Sequence, residues 1–303
     1  MKGELGRRVV SGLVLGVVVL AATWYGGLVF RLVVALCALL IYYEWATIVE
    51  GGLSSSRIGL FGWVVTLCCA ALLVAGSKAE AIYVAVLGGA FSCGWGVLGK
   101  RGAWAGFGIF YAVLPAVALA GLRGDHFGGL IVVLVVFAVV WATDIGAYFA
   151  GRFFGGPKLA PRISPSKTWS GAVGGAVAAV VAGTAVASAF HIGASLWVPV
   201  FTLYMSIASQ LGDLFESWVK RRFGVKDSGH IIPGHGGVMD RVDGLVFAAF
   251  AAYLIAVGLP GAGHGGKGGV AFPNNFLAAA SLVRPTGPEN GPAGAKEQAT
   301  WKF

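Results

Sequence analysis

Apolar runs without a single Asp, Glu, Lys or Arg, such as Ile58–Ala75 and Ser170–Phe190, recur along the whole chain. Each is close to the ~18–20 residues that a helix needs to cross the hydrocarbon core of a bilayer. A water-soluble particle cannot hide so many of them. Charged residues make up 12% of the 303 positions, AVILMFWYC 57%, and 49 glycines come in addition, whereas a soluble domain carries about 25% charge. The expected fold class is therefore all-α, a polytopic integral membrane helical bundle. The same composition excludes a disordered chain, a disulfide-stapled secreted domain and a coiled coil. Cys37, Cys68, Cys69 and Cys93 all lie inside apolar runs without metal-ligand partners at useful spacing, so they read as small packing residues.

About nine transmembrane helices are expected: Val9–Trp24, Leu28–Tyr43, Ile58–Ala75, Ala79–Leu98, Phe107–Leu122, Leu130–Ala150, Ser170–Phe190, Leu196–Leu214 and Val242–Gly258. The first two are short for a core of about 30 Å and suggest longer helices or a tight hairpin. With these spans, fifteen Lys and Arg fall in the N-terminus and alternate loops, against three (Arg31, Lys78, Arg123) on the other side. That asymmetry puts the N-terminus and the two most basic loops in the cytoplasm, and it accounts for the net charge of +9 without nucleic acid. The start, Met-Lys-Gly-Glu-Leu-Gly-Arg-Arg, lacks a good cleavage site after its apolar run and reads as an anchor rather than a signal peptide. Three regions are expected: 1–125 with about five membrane helices, 126–260 with the catalytic helices and two cytoplasmic loops, and a Gly/Pro-rich flexible tail over 261–303.

Acidic residues are scarce, so their placement is informative. Six of the thirteen, Asp144, Asp213, Glu216, Asp227, Asp240 and Asp243, fall in the segments touching the two most basic loops, and an ionisable group at membrane depth costs at least ~2.5 kcal/mol, which makes it functional by default. Asp144 stands among Gly146, Ala150 and Gly151, small enough for close helix packing; an ion pair with Arg152 at the helix end is the plainer alternative. Ser164, Lys167 and Thr168 precede a glycine-rich helix, where free N–H groups and the dipole suit a phosphate. Plain capping by Ser and Thr explains the same stretch equally well. Asp213, Glu216 and Lys220 share one helical face, and Glu216 with Lys220 at i,i+4 reads as support. Gly234, Gly236 and Gly237 allow a turn that points successive N–H groups at an anion. Asp240 and Asp243, three apart at a helix start, are hard oxygen ligands suited to Mg²⁺. His230 and His235 lack a third zinc ligand; a loop histidine of this kind is a hydrogen-bonding or phosphate-contacting group.

Ser217-Trp218-Val219-Lys220-Arg221, Lys226-Asp227-Ser228-Gly229 and Pro233-Gly234-His235-Gly236-Gly237-Val238-Met239-Asp240-Arg241-Val242-Asp243 together resemble the signature of phosphatidate cytidylyltransferases, also called CDP-diacylglycerol synthases. Asp144–Tyr148 with Gly151-Arg152, and Ser164–Thr168, resemble that family in order and distance, so the likeness reaches from about residue 140 to 258. The first 130 residues match only as hydrophobic spans. The resemblance implies transfer of CMP from CTP to phosphatidate, giving CDP-diacylglycerol and pyrophosphate, by a nucleotidyltransferase of phospholipid biosynthesis. It would sit in a bacterial inner membrane with its site on the cytoplasmic face. It implies Mg²⁺ held by Asp213, Asp240 and Asp243, with a second, monovalent ion left open, and a catalytic set of Asp144, Lys167, Asp213, Lys220, Lys226, Asp227, Asp240, Arg241 and Asp243. Ser164, Lys167, Thr168, Ser217, Arg221, Gly234, His235, Gly236 and Gly237 would bind substrate. The partners implied are CTP, phosphatidate and the lipid bilayer, with a homodimer as one open assembly.

Two rivals remain at this stage. A CDP-alcohol phosphotransferase also sets aspartates at helical spacing on membrane spans, but its paired Asp motif is absent although Asp243-Gly244 resembles its opening. A secondary transporter also buries Asp in glycine-rich helices, near mid-bilayer, whereas here the acids gather beside basic loops.

Overall fold

The computed structural model describes residues 2–50, 57–99, 103–190, 196–232 and 236–258. Nine helices run through them: α1 (Lys2–Tyr25), α2 (Gly27–Glu50), α3 (Arg57–Ala75), α4 (Lys78–Leu98), α5 (Trp104–Arg123), α6 (Phe127–Phe154), α7 (Trp169–Ala189), α8 (Trp197–Arg222) and α9 (Met239–Gly258). Every apolar run read from the sequence falls on one of them, and six helices, α2 to α7, are 19 to 28 residues long and apolar enough to cross a membrane. The described apolar part of α1, Gly12–Tyr25, is shorter, and α8 carries Ser206, Ser209, Gln210, Asp213 and Glu216, which lowers its apolar character. A helical membrane bundle is the result. The proposed tail over 261–303 lies outside the described residues.

The first two apolar runs extend into longer helices, one of the two forms expected of them: α1 and α2 have 24 residues each, and they join at Gly26 and Gly27, both at positive φ, where a side chain would be strained. One expectation needs correction: the fold is not purely helical. Between α6 and α7, β1 (Lys158–Ala160) and β2 (Ser164–Thr168) form an antiparallel hairpin with Lys158 opposite Thr168 and Ala160 opposite Ser164. Pro157, Pro161 and Pro165 keep this segment out of a helix, because proline lacks the N–H and clashes with the preceding turn.

Packing explains why so many glycines are needed. α6 and α7 lie face to face along Gly146, Gly151, Gly171 and Gly175, and a Cβ on Gly175 would stand 2.7 Å from the Thr143 carbonyl oxygen. Backbones can approach this closely only where side chains are small. Gly175→Val is expected to lower stability by about 1–3 kcal/mol through overpacking, read as an earlier unfolding transition in detergent; an unchanged transition would contradict the packing described.

The two ends of the bundle differ in chemistry. At one, the nearly buried Arg123 donates from Nε to Thr23 O (2.6 Å), from Nη2 to Trp24 O (3.1 Å) and from Nη1 to Gly124 O and His126 O (3.2 Å each). It clasps the α1–α2 corner to the α5–α6 corner. At the other end lie the C-termini of α2, α6 and α8, the N-termini of α7 and α9, and the hairpin. There Trp45 Nε1 donates to Trp104 O at 2.8 Å, and Trp104 packs on Trp218 and Phe223, fixing the end of α8 against α2 and α5.

Candidate active site

A cavity of about 480 Å³ opens at this second end between α6, α7, α8 and the hairpin. Its polar lining comes from four separate elements: Asp144 and Arg152 on α6, Lys158 on β1, Lys167 on β2, and Gln210 and Asp213 on α8. A largely apolar wall carrying a few convergent charged and polar groups is the form expected of a ligand site. Glycines 151, 155, 156 and 171 line it too, leaving backbone rather than side chain against whatever enters.

Each expected residue can now be located. Lys167 and Asp213 form an ion pair across the cavity, and Ser217 Oγ donates to Asp213 Oδ1 at 3.5 Å. Asp144 forms no ion pair with Arg152 among the described residues; both instead face the cavity. Asp144, Asp213 and Asp243 lie within electrostatic reach of one another and of Lys167, and Arg241 is within reach of Asp144. Asp243 Oδ1 accepts from the Gly244 N–H at 2.7 Å. Thr168 caps α7, its Oγ1 accepting from the Gly171 N–H at 3.1 Å, while it also lines the cavity; the two readings of that residue coexist. Ser164 opens β2. Arg221 donates to Ile163 O (3.4 Å) and Val225 O (3.3 Å), tying α8 to the hairpin. Lys226 and Asp227 are exposed on the loop before α9.

Asp240 is placed differently from its neighbours. Its carboxylate accepts from Lys220 Nζ (2.7 Å), the Ser228 N–H (3.0 Å) and the Gly237 N–H (2.9 Å). Burial alone would raise this carboxyl, but the Lys220 ammonium and those two N–H groups overcome it and hold it at about 2. The N–H of Gly237, expected to face a substrate anion, is given to Asp240 instead. Pro233, Gly234 and His235 lie outside the described residues. Lys220 also lies 2.6 Å from Glu216, the i,i+4 support read from the sequence.

No three or more His, Cys, Asp or Glu side chains are gathered into a ready cation cage among the described residues. Mg²⁺ needs none: it is commonly held by one or two carboxylates, with waters and substrate phosphates completing the octahedron. Asp213 and Asp243 supply hard oxygens of that kind, so the residues present suit the ion.

Lys158 and Gln210 in the cavity wall, and Glu44 on α2, were not among the expected site residues. Glu44 is fully buried and accepts from Ser228 Oγ (2.9 Å), the Val238 N–H (2.7 Å) and the Met239 N–H (2.7 Å). Its signal was present, a lone acid after an apolar run. Ending the second span at Tyr43 hid it, because α2 continues to Glu50.

Known proteins resemble this chain over most of its length. A profile described as the cytidylyltransferase family matches residues 6–258. Phosphatidate cytidylyltransferases of Brucella suis biovar 1 (strain 1330) and Brucella melitensis biotype 1 are each 48% identical over 252 residues, 83% of this chain and 93% of theirs. The phosphatidate cytidylyltransferase of Bacillus subtilis (strain 168) is 45% identical over 135 residues, 43% of this chain and 49% of its own. A match running from α1 to the end of α9 shows that the chain belongs to the cytidylyltransferase family.

Proposed function

We propose that this protein is a phosphatidate cytidylyltransferase: it transfers CMP from CTP to phosphatidate, releasing pyrophosphate and forming CDP-diacylglycerol. The observation that carries the reading is the cavity in which Lys167 faces Asp213, with Arg152, Lys158 and Asp144 around them, at the end of a membrane bundle. A triphosphate needs cationic side chains, and a lipid phosphate reaches only a site at headgroup depth. The fifteen-to-three distribution of Lys and Arg favours the cytoplasmic side for this end, with all nine helices embedded to some extent.

In this reading Lys167, Arg152 and Lys158 bind the nucleotide phosphates, Lys167 turning from Asp213 to the triphosphate when it arrives. Arg221, Lys226 and Arg241 form a basic rim for the lipid headgroup and the departing pyrophosphate. A phosphatidate oxygen attacks the α-phosphorus in line while the bond to the pyrophosphate oxygen breaks. The nucleophile is already ionised at neutral pH, so no strong base is needed. Asp243, and Asp213 once Lys167 has turned to the triphosphate, would hold Mg²⁺, while Asp240, bound to Lys220 and two N–H groups, fixes the first turn of α9. Bound there, Mg²⁺ supplies charge neutralisation on the phosphates. Residues 126–260 carry the catalytic groups and 1–125 brace them.

Purified protein in mixed micelles with phosphatidate and Mg²⁺ should move label from the α-phosphorus of CTP into lipid and label from the γ-phosphorus into pyrophosphate. Chelation should stop both. Label released as CMP or inorganic phosphate, with none in lipid, would overturn the assignment.

A further inference from the structure

The segment bearing the signature is held from outside itself. Glu44 reaches it from α2, and its three hydrogen bonds go to residues 184, 194 and 195 positions away. Two of the donors, the Val238 and Met239 N–H groups, stand at the start of α9, where unpaired N–H groups and the helix dipole attract an anion. Here the anion is supplied by the protein. The fit around it is close: a Cβ on Gly229 would stand 3.1 Å from Glu44 Oε1, and one on Gly237 would stand 2.5 Å from Glu44 Oε2.

Ser228 joins this carboxylate to the site. Its hydroxyl donates to Glu44 while its N–H donates to Asp240, so the loop is gripped by one carboxylate from α2 and one from α9. All three of Glu44's partners are donors, and a buried carboxylate without such donors would be strongly unfavourable. General core packing would have no need of this arrangement.

We propose that Glu44 is a positioning residue of the active site: from α2 it fixes Ser228, Val238 and the first turn of α9, and thereby sets where Asp240 and Asp243 stand relative to Asp213. The kinetic consequence rests on the proposed function; the structural consequence does not.

The test uses the full chain with Glu44→Gln, which turns an N–H toward at least one of the three donors. Amide exchange at Val238 and Met239 should accelerate by about tenfold or more, the worth of a lost charged hydrogen bond, with α3 and α4 unchanged. Turnover should fall by about tenfold to a hundredfold, as for residues that orient others, while KM for phosphatidate stays within about twofold. Wild-type turnover, or exchange rising equally in every helix, would overturn the proposal. If Glu44→Gln does not yield folded protein, Ser228→Ala decides: a smaller change in the same direction at Val238 and Met239 supports it, and unchanged exchange and turnover defeat it. Should the wild-type chain form no CDP-diacylglycerol, the functional reading fails, and the exchange measurements still judge Glu44.

Discussion

Asp213→Asn is expected to abolish most CDP-diacylglycerol formation while leaving the fold intact. Residues that merely orient metal ligands cost about 10–100-fold when removed, so loss of a direct carboxylate should cost at least ~100-fold, and added Mg²⁺ should not restore it. Stability should hardly move. The partners of Asp213 are Lys167, in a pair about a quarter exposed, and Ser217 at 3.5 Å, and open ion pairs contribute only about 0–1 kcal/mol. Initial rates at saturating CTP, alongside a thermal transition in detergent, check both halves. A variant retaining more than a tenth of the wild-type rate would remove Asp213 from the proposed ligand set.

Lys220→Met should act in the opposite sense, on the fold first. One ammonium serves two carboxylates, Glu216 at 2.6 Å and Asp240 at 2.7 Å, with side chains 1% and 8% exposed. Apart from that contact, Glu216 has no hydrogen-bond donor among the described residues. Removing the cation leaves two buried acids facing each other, and breaking a buried pair this way costs about 3–5 kcal/mol. Adding Glu216→Gln to Lys220→Met should recover part of the loss, because only Asp240 then lacks its cation and it keeps its two N–H donors. Denaturant unfolding of the single and double variants in detergent measures the coupling. Equal stability of Lys220→Met and wild type would show that the buried cluster does not depend on this lysine.

The membrane helices were legible because apolar runs and helix formation are both local properties. Each expected span coincides with a helix, and the errors lie at ends: α2 runs beyond Tyr43, and α6 and α8 extend beyond Ala150 and Leu214. The hairpin was missed because strands of three and five residues, the second containing Pro165, carry no alternation strong enough to mark a strand. The site was legible in part. Asp144, Lys167, Asp213 and Asp243 do converge, as their common position beside basic loops suggested, and Glu216 does support Lys220.

Spacing along a helix could say that Asp240 and Asp243 project together from the first turn of α9, but not what each would meet. Asp240 meets Lys220 and two N–H groups and is fully engaged, whereas Asp243 turns toward Asp213 and Asp144. Local order in the chain determined that this is a helical membrane protein with its chemistry gathered near two basic loops, since hydropathy and charge bias act over a few turns. Only the packed bundle decided that Asp240 is bound by Lys220 and two N–H groups and that Glu44 takes the N–H groups at the start of α9, since those outcomes depend on how separate elements meet, in the second case across nearly two hundred residues.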